Sequence, residues 1–527
     1  MRLLCITKGA LIRRGIAFSC IMLIAAAFRF PQLSVRPMHC DEAVNADKLG
    51  ELLEHGEYKY SAVDYHGPTL NYLSWFIARA EGITNYADLN ETTLRIIPAI
   101  AGILLVGLHI FLVRDLGPIA ASSSALLTAV SPAMVYYSRY YIHEMLLVLF
   151  SFGFILAVFR YWERRRTVWA AASGICIGLM FSTKETAIIP LASVVLAAVM
   201  AGAGKRDHQS ANKLPFLLRH LATALTAAAA TTAVLISSFF TNPQGIWDFI
   251  RAYRQYCLRG MGAGTPHVHP WNYYLILLNY YRAGNGPVFT EAVISILALV
   301  GMASAIYEWR RGLRPCTLRL FLAVYGVAMV AAYSFIPYKV PWNLLGFLHG
   351  MILLSGIGTA FLAQRLRNSA LIVGVALFSV CVASLGWQAL RGSFSLSLDP
   401  RNPWVYAHTG KDVYAIVQEL EILAATYPGG ESGLPIAIVS RENLWPLPWY
   451  LRRFHRLQWW NGVSDTSAAA PVYLITPDME PALVRRLYEI PPTGQRDLYV
   501  DLFSHYVELR PGVELRGYAS LSVWKEL

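Results

Sequence analysis

The stretch that decides the fold lies between residues 142 and 162 and reads IHEMLLVLFSFGFILAVFRYW. Its middle part, residues 145–159, carries no charged side chain, and roughly 17 to 25 mostly apolar residues are enough to cross a bilayer as a helix. The pair His143-Glu144 stands at one end, and three arginines follow the other end at residues 164–166. Because loops rich in Lys and Arg face the cytoplasm, we expect His143 and Glu144 at the outer face of a membrane.

Apolar runs of the same character recur along the chain, near residues 13–30, 94–113, 117–137, 168–183, 186–202, 218–240, 288–307, 317–337, 343–364 and 369–390. Together with the first stretch they predict about eleven membrane-spanning helices. The composition agrees, because 55% of the residues are hydrophobic and 15% are charged, and the mean hydropathy is +0.42. These values exclude intrinsic disorder and a single soluble globule.

The positive charge follows the membrane topology. The 527 residues include 45 Lys and Arg against 33 Asp and Glu, a net charge of +12. Such an excess can indicate nucleic-acid binding, but the basic residues stand in short clusters after every second apolar run: Arg13-Arg14, Arg164–Arg166, Lys205-Arg206, Arg310-Arg311, and Arg365 with Arg367. All of them face the cytoplasm if the N-terminus is inside and the C-terminus outside. We therefore predict a multi-pass protein of the cell (inner) membrane with no nucleic-acid partner.

Two local alternatives stay open in this topology. The first run contains Ala25-Ala26-Ala27, which also suits a cleaved signal peptide, whereas Arg29 favours an uncleaved anchor. The runs near 168–183 and 186–202 are interrupted by Lys184-Glu185 and form either two spans or a re-entrant pair. Both options lead to the same sidedness.

Two outward segments inside the membrane domain are too long to be simple connections. Residues 31–93 show the apolar periodicity of helices that lie on a membrane surface. Residues 241–287 are rich in Tyr, Arg and Gly and resemble a lid or a binding loop. We include both segments in a membrane domain at residues 1–390.

The polar tail forms a second predicted domain at residues 391–527, outside the cell. Pro435–Ser440 and Val472–Ile475 have the pattern of buried strands, and Val413–Ala425 has that of a helix. The predicted fold class is therefore an all-α polytopic membrane protein with a small soluble α/β C-terminal domain.

Charged side chains collect at the outer ends of the predicted spans: Asp41-Glu42, His66, Arg139, His143-Glu144, Lys184-Glu185 and Lys339. A charge in mid-bilayer is costly, so such residues usually line a polar cavity or reach the interface. We expect them to converge on one wet pocket at the outer membrane border. The local alternatives are contacts with lipid headgroups, helix capping by Asp41-Glu42, and an internal pair of Arg139 with His143 or Glu144.

Four motifs in this order resemble a known family. They are Asp41-Glu42 after the first span, the turn His66-Gly67-Pro68-Thr69-Leu70, the element RYYIHE at 139–144, and YKVPW at 338–342. The combination resembles the GT-C superfamily of membrane glycosyltransferases, and within it the protein O-mannosyltransferase and aminoarabinose-transferase group. With WPLPWYLR at 445–452, the chain is most similar to the branch called flippase-activity-associated proteins. The resemblance covers most of the chain.

The resemblance implies an inverting glycosyltransferase that moves a sugar from a polyprenyl-phosphate donor to an acceptor hydroxyl on the outer face of the membrane. The partners are then the donor lipid, the surrounding membrane lipid, and a glycan, lipid or protein acceptor. Phosphate is already a good leaving group, so one carboxylate that accepts the acceptor's proton suffices, in contrast to the two carboxylates of glycosidases. No cofactor is required.

The resemblance also implies roles for particular residues. Asp41 is the expected catalytic base, with Glu42 and Glu144 as supporting carboxylates. The leaving phosphate needs fixed positive charge, for which the candidates are Arg139, Lys184 and Lys339. Candidates for substrate binding are His66, His143, Tyr338 and Trp342. Aromatic residues at 136–137, 140–141 and 342 suit either the aromatic belt of a membrane interface or a sugar platform.

Three alternatives remain at this point. His39, Asp41, His66, His143 and Glu144 could surround a divalent metal, although their spacing matches no self-contained metal motif. The protein could be a flippase for lipid-linked sugars, or its accessory, without transferase activity, although we find no internal repeat typical of transporters. It could also be an inactive relative that serves as a scaffold.

Overall fold

A computed structural model describes residues 8–61, 66–202, 214–313, 317–466 and 468–525. The chain divides into two compact units. The membrane unit comprises Met1–Leu33, His55–Gly82 and Thr92–Tyr406, and the sheet unit comprises Ser34–Glu54, Ile83–Glu91 and Ala407–Leu527. This division differs from the sequence boundary after residue 390, because parts of the first outward segment pack with the C-terminal residues.

The described part of the membrane unit is mainly helical. Its helices are α1 (Lys8–Arg29), α3 (Thr69–Ala80), α4 (Glu91–Leu108), α5 (Val113–Leu116), α6 (Pro118–Val130), α7 (Pro132–Tyr137), α8 (Glu144–Arg164), α9 (Thr167–Phe181), α10 (Ile188–Gly202), α11 (Leu214–Ile236), α12 (Gln244–Gly260), α13 (Tyr273–Asn279), α14 (Ala292–Arg310), α15 (Thr317–Phe335), α16 (Leu345–Arg365) and α17 (Asn368–Leu390). Each apolar run of the sequence coincides with one or two of these helices. The predicted polytopic helical fold is confirmed.

Within the described residues, eight helical segments are long and apolar enough to cross a membrane: Glu91–Leu116, Glu144–Arg164, Glu185–Gly202, Pro215–Ile236, Ala292–Arg310, Thr317–Phe335, Pro341–Arg365 and Asn368–Ser395. Two shorter apolar helices are Pro118–Val130 and Thr167–Phe181. The protein is therefore a multi-pass membrane protein. The cluster Lys205-Arg206 lies outside the described residues.

Small residues allow the central helices to approach closely. A Cβ added to Gly301 of α14 would lie 2.0 Å from the Leu354 carbonyl oxygen, and one added to Gly358 of α16 would lie 2.1 Å from the Leu297 carbonyl oxygen. Such close backbone contact is typical of helix pairs in membranes, where packing replaces the hydrophobic effect. Helix α16 is accordingly almost entirely buried.

The sheet unit contains a mixed five-stranded sheet in the order β2-β1-β3-β7-β4. The strands of the unit are β1 (Ile436–Val439), β2 (Leu457–Trp460), β3 (Val472–Ile475), β4 (Tyr499–Asp501), β5 (Glu508–Arg510), β6 (Val513–Glu514) and β7 (Arg516–Ser520), and β5 pairs with β6 in a separate hairpin. Strand β1 runs parallel to β2 and β3, whereas β7 runs antiparallel to β3 and β4. Because β1 and β3 are buried along their whole length, they show the continuous apolar runs of central strands.

Helices α2 (Cys40–His55), α18 (Asp412–Thr426), α19 (Gly430–Gly433), α20 (Leu447–Tyr450), α21 (Glu480–Val484) and α22 (Leu521–Trp524) complete the sheet unit. On α18, Val413, Ile416, Leu420 and Leu423 are fully buried, at the spacing of one apolar helix face. The predicted small α/β domain is confirmed, together with both strands and the helix read from the sequence.

Candidate active site

The first candidate carboxylates stand at the start of α2, in the sheet unit. Glu42 is fully buried. One of its oxygens lies 3.1 Å from the Arg36 guanidinium, and the other accepts the backbone N–H of His39 at 2.9 Å. His39 is the residue just before α2, so Glu42 closes the first turn as the acidic member of a capping box. Its carboxylate therefore holds the segment in shape.

Asp41, in contrast, is exposed. Its backbone N–H donates to His39 Nδ1 at 3.1 Å, and the Cys40 thiol lies 3.5 Å from Asp41 Oδ1. Burial and, next, the Asp41 charge raise the pKa of that thiol. The thiol thus stays protonated at neutral pH and donates to Asp41. The Asp41 carboxylate projects from a firmly held turn toward solvent.

The motif at 445–452 supports this turn from within the sheet unit. The Tyr450 hydroxyl accepts the backbone N–H of Met38 at 2.8 Å, and Thr409 Oγ1 donates to the Met38 carbonyl oxygen at 2.7 Å. Trp449 is fully buried and donates from Nε1 to Glu91 at 3.1 Å. These aromatic residues therefore pack the core that carries the residues just before Asp41.

A compact set of metal-type ligands occurs at the same place. Among the described residues, ligand atoms of His39, Cys40 and Asp41 all lie within 4.8 Å of one another. The five metal ligands predicted from the sequence belong to different units. His39 and Asp41 are in the sheet unit, and His66, His143 and Glu144 are in the membrane unit. Metal binding and the meeting of Asp41 with Glu144 both stay predictions.

In the membrane unit, Glu144 and Lys184 form a buried ion pair. Glu144 is the first residue of α8, and Lys184 stands in the short turn between α9 and α10. Each side chain is only 7% exposed. The Lys184 ammonium also lies 3.5 Å from Asn343 Oδ1. The pair brings together two helix connections that are 40 residues apart in the chain.

Glu144 of this ion pair lines a cavity between α8, α10, α15 and the start of α16. Its polar lining includes Glu144, Ser151, Thr186, Tyr333 and Asn343, and most of the other lining residues are apolar. Polar and apolar side chains thus share the lining of this cavity.

A second pair joins the partly exposed His66 to the buried Glu185. His66 Nδ1 lies 2.7 Å from Glu185 Oε2, and the Tyr60 hydroxyl donates to Glu185 Oε1 at 2.7 Å. The Tyr256 hydroxyl of α12 lies 3.2 Å from His66 Nδ1, and its ring stacks on the imidazole. Burial and, next, the Glu185 charge raise the pKa of both tyrosines. Tyr60 and Tyr256 therefore stay protonated and serve as hydrogen-bond donors.

The turn after His66 explains the glycine of the second sequence motif. Gly67 N–H donates to the Thr183 carbonyl oxygen at 3.2 Å, and Thr69 N–H donates to the Ser182 carbonyl oxygen at 3.2 Å. A Cβ on Gly67 would lie 2.1 Å from the Ser182 oxygen. Only glycine fits this approach. The turn thereby fixes His66 against the Lys184-Glu185 segment.

His143 completes this group. Its Nε2 lies 3.1 Å from the Gly67 carbonyl oxygen, and its ring meets the His66 ring edge-on at 5.2 Å. Burial, followed by the charges of His66 and Lys184, lowers the pKa of His143 well below its usual value. The imidazole is therefore neutral, with Nε2–H as the donor. Its Nδ1 has no hydrogen-bond partner within the described part of the chain.

Arg139 holds the end of α1. Its guanidinium donates to the carbonyl oxygens of Arg29 at 3.0 Å and of Gln32 at 3.1 Å, and it lies 4.3 Å from the centre of the Phe394 ring. Glu144, which the sequence offered as a partner for Arg139, forms its ion pair with Lys184. The contacts of Arg139 give it a structural task that the sequence did not indicate.

Lys339 and its neighbours join two loops of the membrane unit. The buried Lys339 ammonium donates to the Ile336 carbonyl oxygen and, at 3.3 Å, to that of His269. Desolvation lowers the pKa of this lysine. The Tyr338 ring meets the His267 ring edge-on at 5.6 Å. The motif therefore ties the start of α16 to the loop before α13.

The aromatic residues are packed inside the protein. Trp342 is buried and meets Tyr137 and Tyr406 edge-on, at 6.1 and 6.0 Å. Residues 136–137 and 140–141 are also almost fully buried. A belt at the lipid interface requires exposed rings, so that interpretation of the sequence is wrong for this group.

The structure thus assembles Glu144 with Lys184, and His66 with His143, as groups within the membrane unit. Sequence reasoning missed Tyr60, Tyr256 and Asn343, and it gave Glu185 no role. Glu185 was visible as a charge at the end of an apolar run. The two tyrosines carried no such signal, because they stand among many tyrosines in segments of irregular pattern.

Comparison with known proteins places this fold. A family model described as dolichyl-phosphate-mannose-protein mannosyltransferase matches residues 66–235. No curated protein sequence matches the chain.

Three solved structures resemble the chain. ArnT from Cupriavidus metallidurans, bound to undecaprenyl phosphate, has a TM-score of 0.63 and 15% identity, covering 95% of this chain and 97% of that one. The Saccharomyces cerevisiae protein O-mannosyltransferase Pmt1-Pmt2, bound to its sugar donor, has a TM-score of 0.58 and 10% identity, covering 79% and 92%. The oligosaccharyltransferase of Archaeoglobus fulgidus has a TM-score of 0.54 and 15% identity, covering 84% of this chain and only 64% of that chain.

These likenesses, with the family-model match, confirm the predicted resemblance to the GT-C superfamily and its fold. The narrower resemblance to the flippase-activity-associated branch stays a prediction.

Proposed function

We propose that this multi-pass membrane protein with the GT-C fold is an inverting glycosyltransferase. It transfers a sugar, of the hexosyl kind, from a polyprenyl-phosphate donor to an acceptor hydroxyl at the outer face of the cell (inner) membrane. Two of the similar structures support this substrate class, because one holds undecaprenyl phosphate and another holds a sugar donor. The acceptor is a glycan, lipid or protein hydroxyl.

The observation that carries the proposal is the difference in exposure among the candidate carboxylates. Asp41 is exposed at the start of α2. Glu42 is buried against Arg36 and His39, and Glu144 is buried against Lys184. A general base must reach the acceptor's proton directly or through one water. Of the three carboxylates, Asp41 is the one open to an incoming acceptor, so we propose it as the base and assign Glu42 and Glu144 to positioning.

The proposed reaction is a single displacement. The acceptor oxygen attacks the anomeric carbon while the bond from that carbon to the phosphate oxygen breaks, and Asp41 accepts the acceptor's proton. Polyprenyl phosphate leaves with the bonding electron pair. One attack from the face opposite the phosphate inverts the anomeric configuration, and the phosphate needs no general acid.

The leaving phosphate requires fixed positive charge. Lys184 and Lys339 supply ammonium groups in the membrane unit, and Arg139 supplies a guanidinium. We rank Lys184 first, because its ammonium contacts Glu144 and Asn343, and both of these residues line the cavity. His66, His143, Tyr338 and Trp342 are proposed to shape substrate binding around it. The step itself requires no metal, and chelation by EDTA should leave it unchanged.

The test uses Asp41→Asn in purified full-length protein. A cell-envelope extract supplies glycan, lipid and protein acceptors. With it, we expect release of undecaprenyl phosphate from a panel of synthetic undecaprenyl-phosphate monosaccharides to fall by roughly 100-fold or more, with donor affinity retained. The matched control is Asp478→Asn, which removes another exposed carboxylate of the sheet unit and should keep full activity.

Two results would reject parts of the proposal. Full activity of the Asp41→Asn protein would remove Asp41 from the mechanism. Binding of donors by the folded wild-type protein without turnover of any of them, in detergent where no bilayer exists to flip across, would favour a flippase or an inactive scaffold.

A further inference from the structure

Helix α12 (Gln244–Gly260) has two faces of different character. The inner face carries Phe249, Tyr253 and Tyr256. Tyr256 reaches His66 at 3.2 Å, and the Phe249 ring meets the Tyr60 ring edge-on at 5.9 Å. This face therefore covers the His66–Glu185 pair.

The outer face of α12 mixes large apolar side chains with arginines. Trp247, Ile250, Arg251, Arg254 and Leu258 recur at steps of one, three or four residues along one side of the helix, and all five are exposed. Trp247 is 61% exposed, and the Arg251 side chain is 71% exposed. An exposed tryptophan beside cations is typical of a helix that lies in a membrane interface, where the ring and the charge meet different parts of the lipid.

The position of α12 in the chain agrees with an interfacial depth. Helix α11 ends at Ile236 and belongs to a segment suited to span the membrane. Only 11% of the apolar stretch of this segment is buried inside the protein. Most of its surface is therefore available to face lipid. The connection 237–243 can reach at most about 25 Å, and it exposes Phe239 and Phe240. A Cβ added to Gly245, near the start of α12, would lie 2.5 Å from the Ile236 carbonyl oxygen. Helix α12 therefore begins beside the end of the membrane-spanning segment.

We infer that the outer face of α12 is a docking surface for the anionic phospholipid headgroups of the surrounding bilayer. Arg251 and Arg254 bind lipid phosphates, while Trp247, Ile250 and Leu258 enter the boundary between headgroups and acyl chains. Arg251 has Asp248 at 3.6 Å, an exposed contact weak enough to be exchanged for lipid. Docking stabilises α12 in this position, and it thereby maintains the contact between Tyr256 and His66.

This inference is independent of the proposed function, because its test measures no turnover. The full-length protein is reconstituted, one copy per nanodisc, in phosphatidylcholine alone or with about 30% phosphatidylglycerol. Hydrogen exchange of the α12 amides is followed by mass spectrometry. Each arginine at an anionic surface strengthens binding to that surface roughly fivefold. For two arginines we therefore expect the α12 amides to exchange about thirty-fold more slowly in the anionic discs than in the neutral ones. High salt should weaken the difference.

The double variant Arg251→Gln/Arg254→Gln should lose this lipid dependence. Its matched control, Arg441→Gln/Arg485→Gln, removes two exposed arginines of the sheet unit and should keep it. The inference is overturned if α12 exchanges equally in both lipids, or if the difference survives in the Arg251/Arg254 variant. Slow exchange in neutral lipid that requires two copies per disc would identify a second copy of the chain as the occupant and would also overturn it.

Discussion

Replacing Lys184 by Met tests the buried ion pair with Glu144. Both side chains are 7% exposed, so removing one charge leaves the other buried with few polar neighbours. Such a loss costs about 3 to 5 kcal/mol of unfolding free energy. The double variant Glu144→Gln/Lys184→Met buries no charge, and we expect it to recover all but about 1 to 2 kcal/mol. The stability losses of the single variants Lys184→Met and Glu144→Gln should therefore be strongly non-additive.

Donor binding should follow a different order. If the Lys184 ammonium holds the donor phosphate, the double variant regains stability but not affinity for undecaprenyl phosphate. Urea unfolding in detergent, followed by tryptophan fluorescence, gives the stabilities, and a binding titration gives the affinity. Lys59→Met is the control, because the ion pair of Lys59 with Glu57 is largely exposed. Loss of this pair should lower the free energy of unfolding by less than about 1 kcal/mol.

Two outcomes would refute this reasoning. Equal instability of the Lys184→Met protein and the double variant would show that the charges are not coupled. Recovery of donor affinity in the double variant would show that Lys184 does not bind the phosphate.

Two further predictions concern stability. Burial, followed by the charges of Glu51 and Glu54, raises the pKa of Asp47 to about 6. This pKa exceeds the unfolded value near 3.9, so the free energy of unfolding falls as the pH rises from about 4 to 6. Asp47→Asn should therefore stabilise the protein at pH 7 by about 2 kcal/mol but not at pH 3.5. Equal effects of the substitution in urea unfolding at both pH values would contradict this. Arg139→Lys loses the forked contact with two carbonyl oxygens and should cost about 2 to 4 kcal/mol; unchanged unfolding with lost donor binding would instead assign Arg139 to the phosphate.

Much of the architecture was predictable because a bilayer restricts what an apolar segment can do. A run such as 145–159 has no water for its backbone groups, so it must be a helix. In the tail, β1 and β3 were predictable because central strands are apolar on both faces. Each of these inferences needs only neighbouring residues.

The division between the units was not predictable, because it depends on distant packing. Tyr450 and Thr409 bind the backbone of Met38, across separations of 412 and 371 residues. No local pattern in the segment 34–54 indicates that it joins the C-terminal residues.

The candidate site shows the same contrast. The sequence by itself determined which charged side chains stand at the ends of apolar runs, because the cost of burying charge in lipid acts on each segment separately. Only the tertiary structure decided their partners: Glu144 meets Lys184, Glu185 meets His66, and Asp41 is left exposed. Ion pairs depend on distances of a few ångströms between elements far apart in the chain, and those distances exist only after the helices have packed.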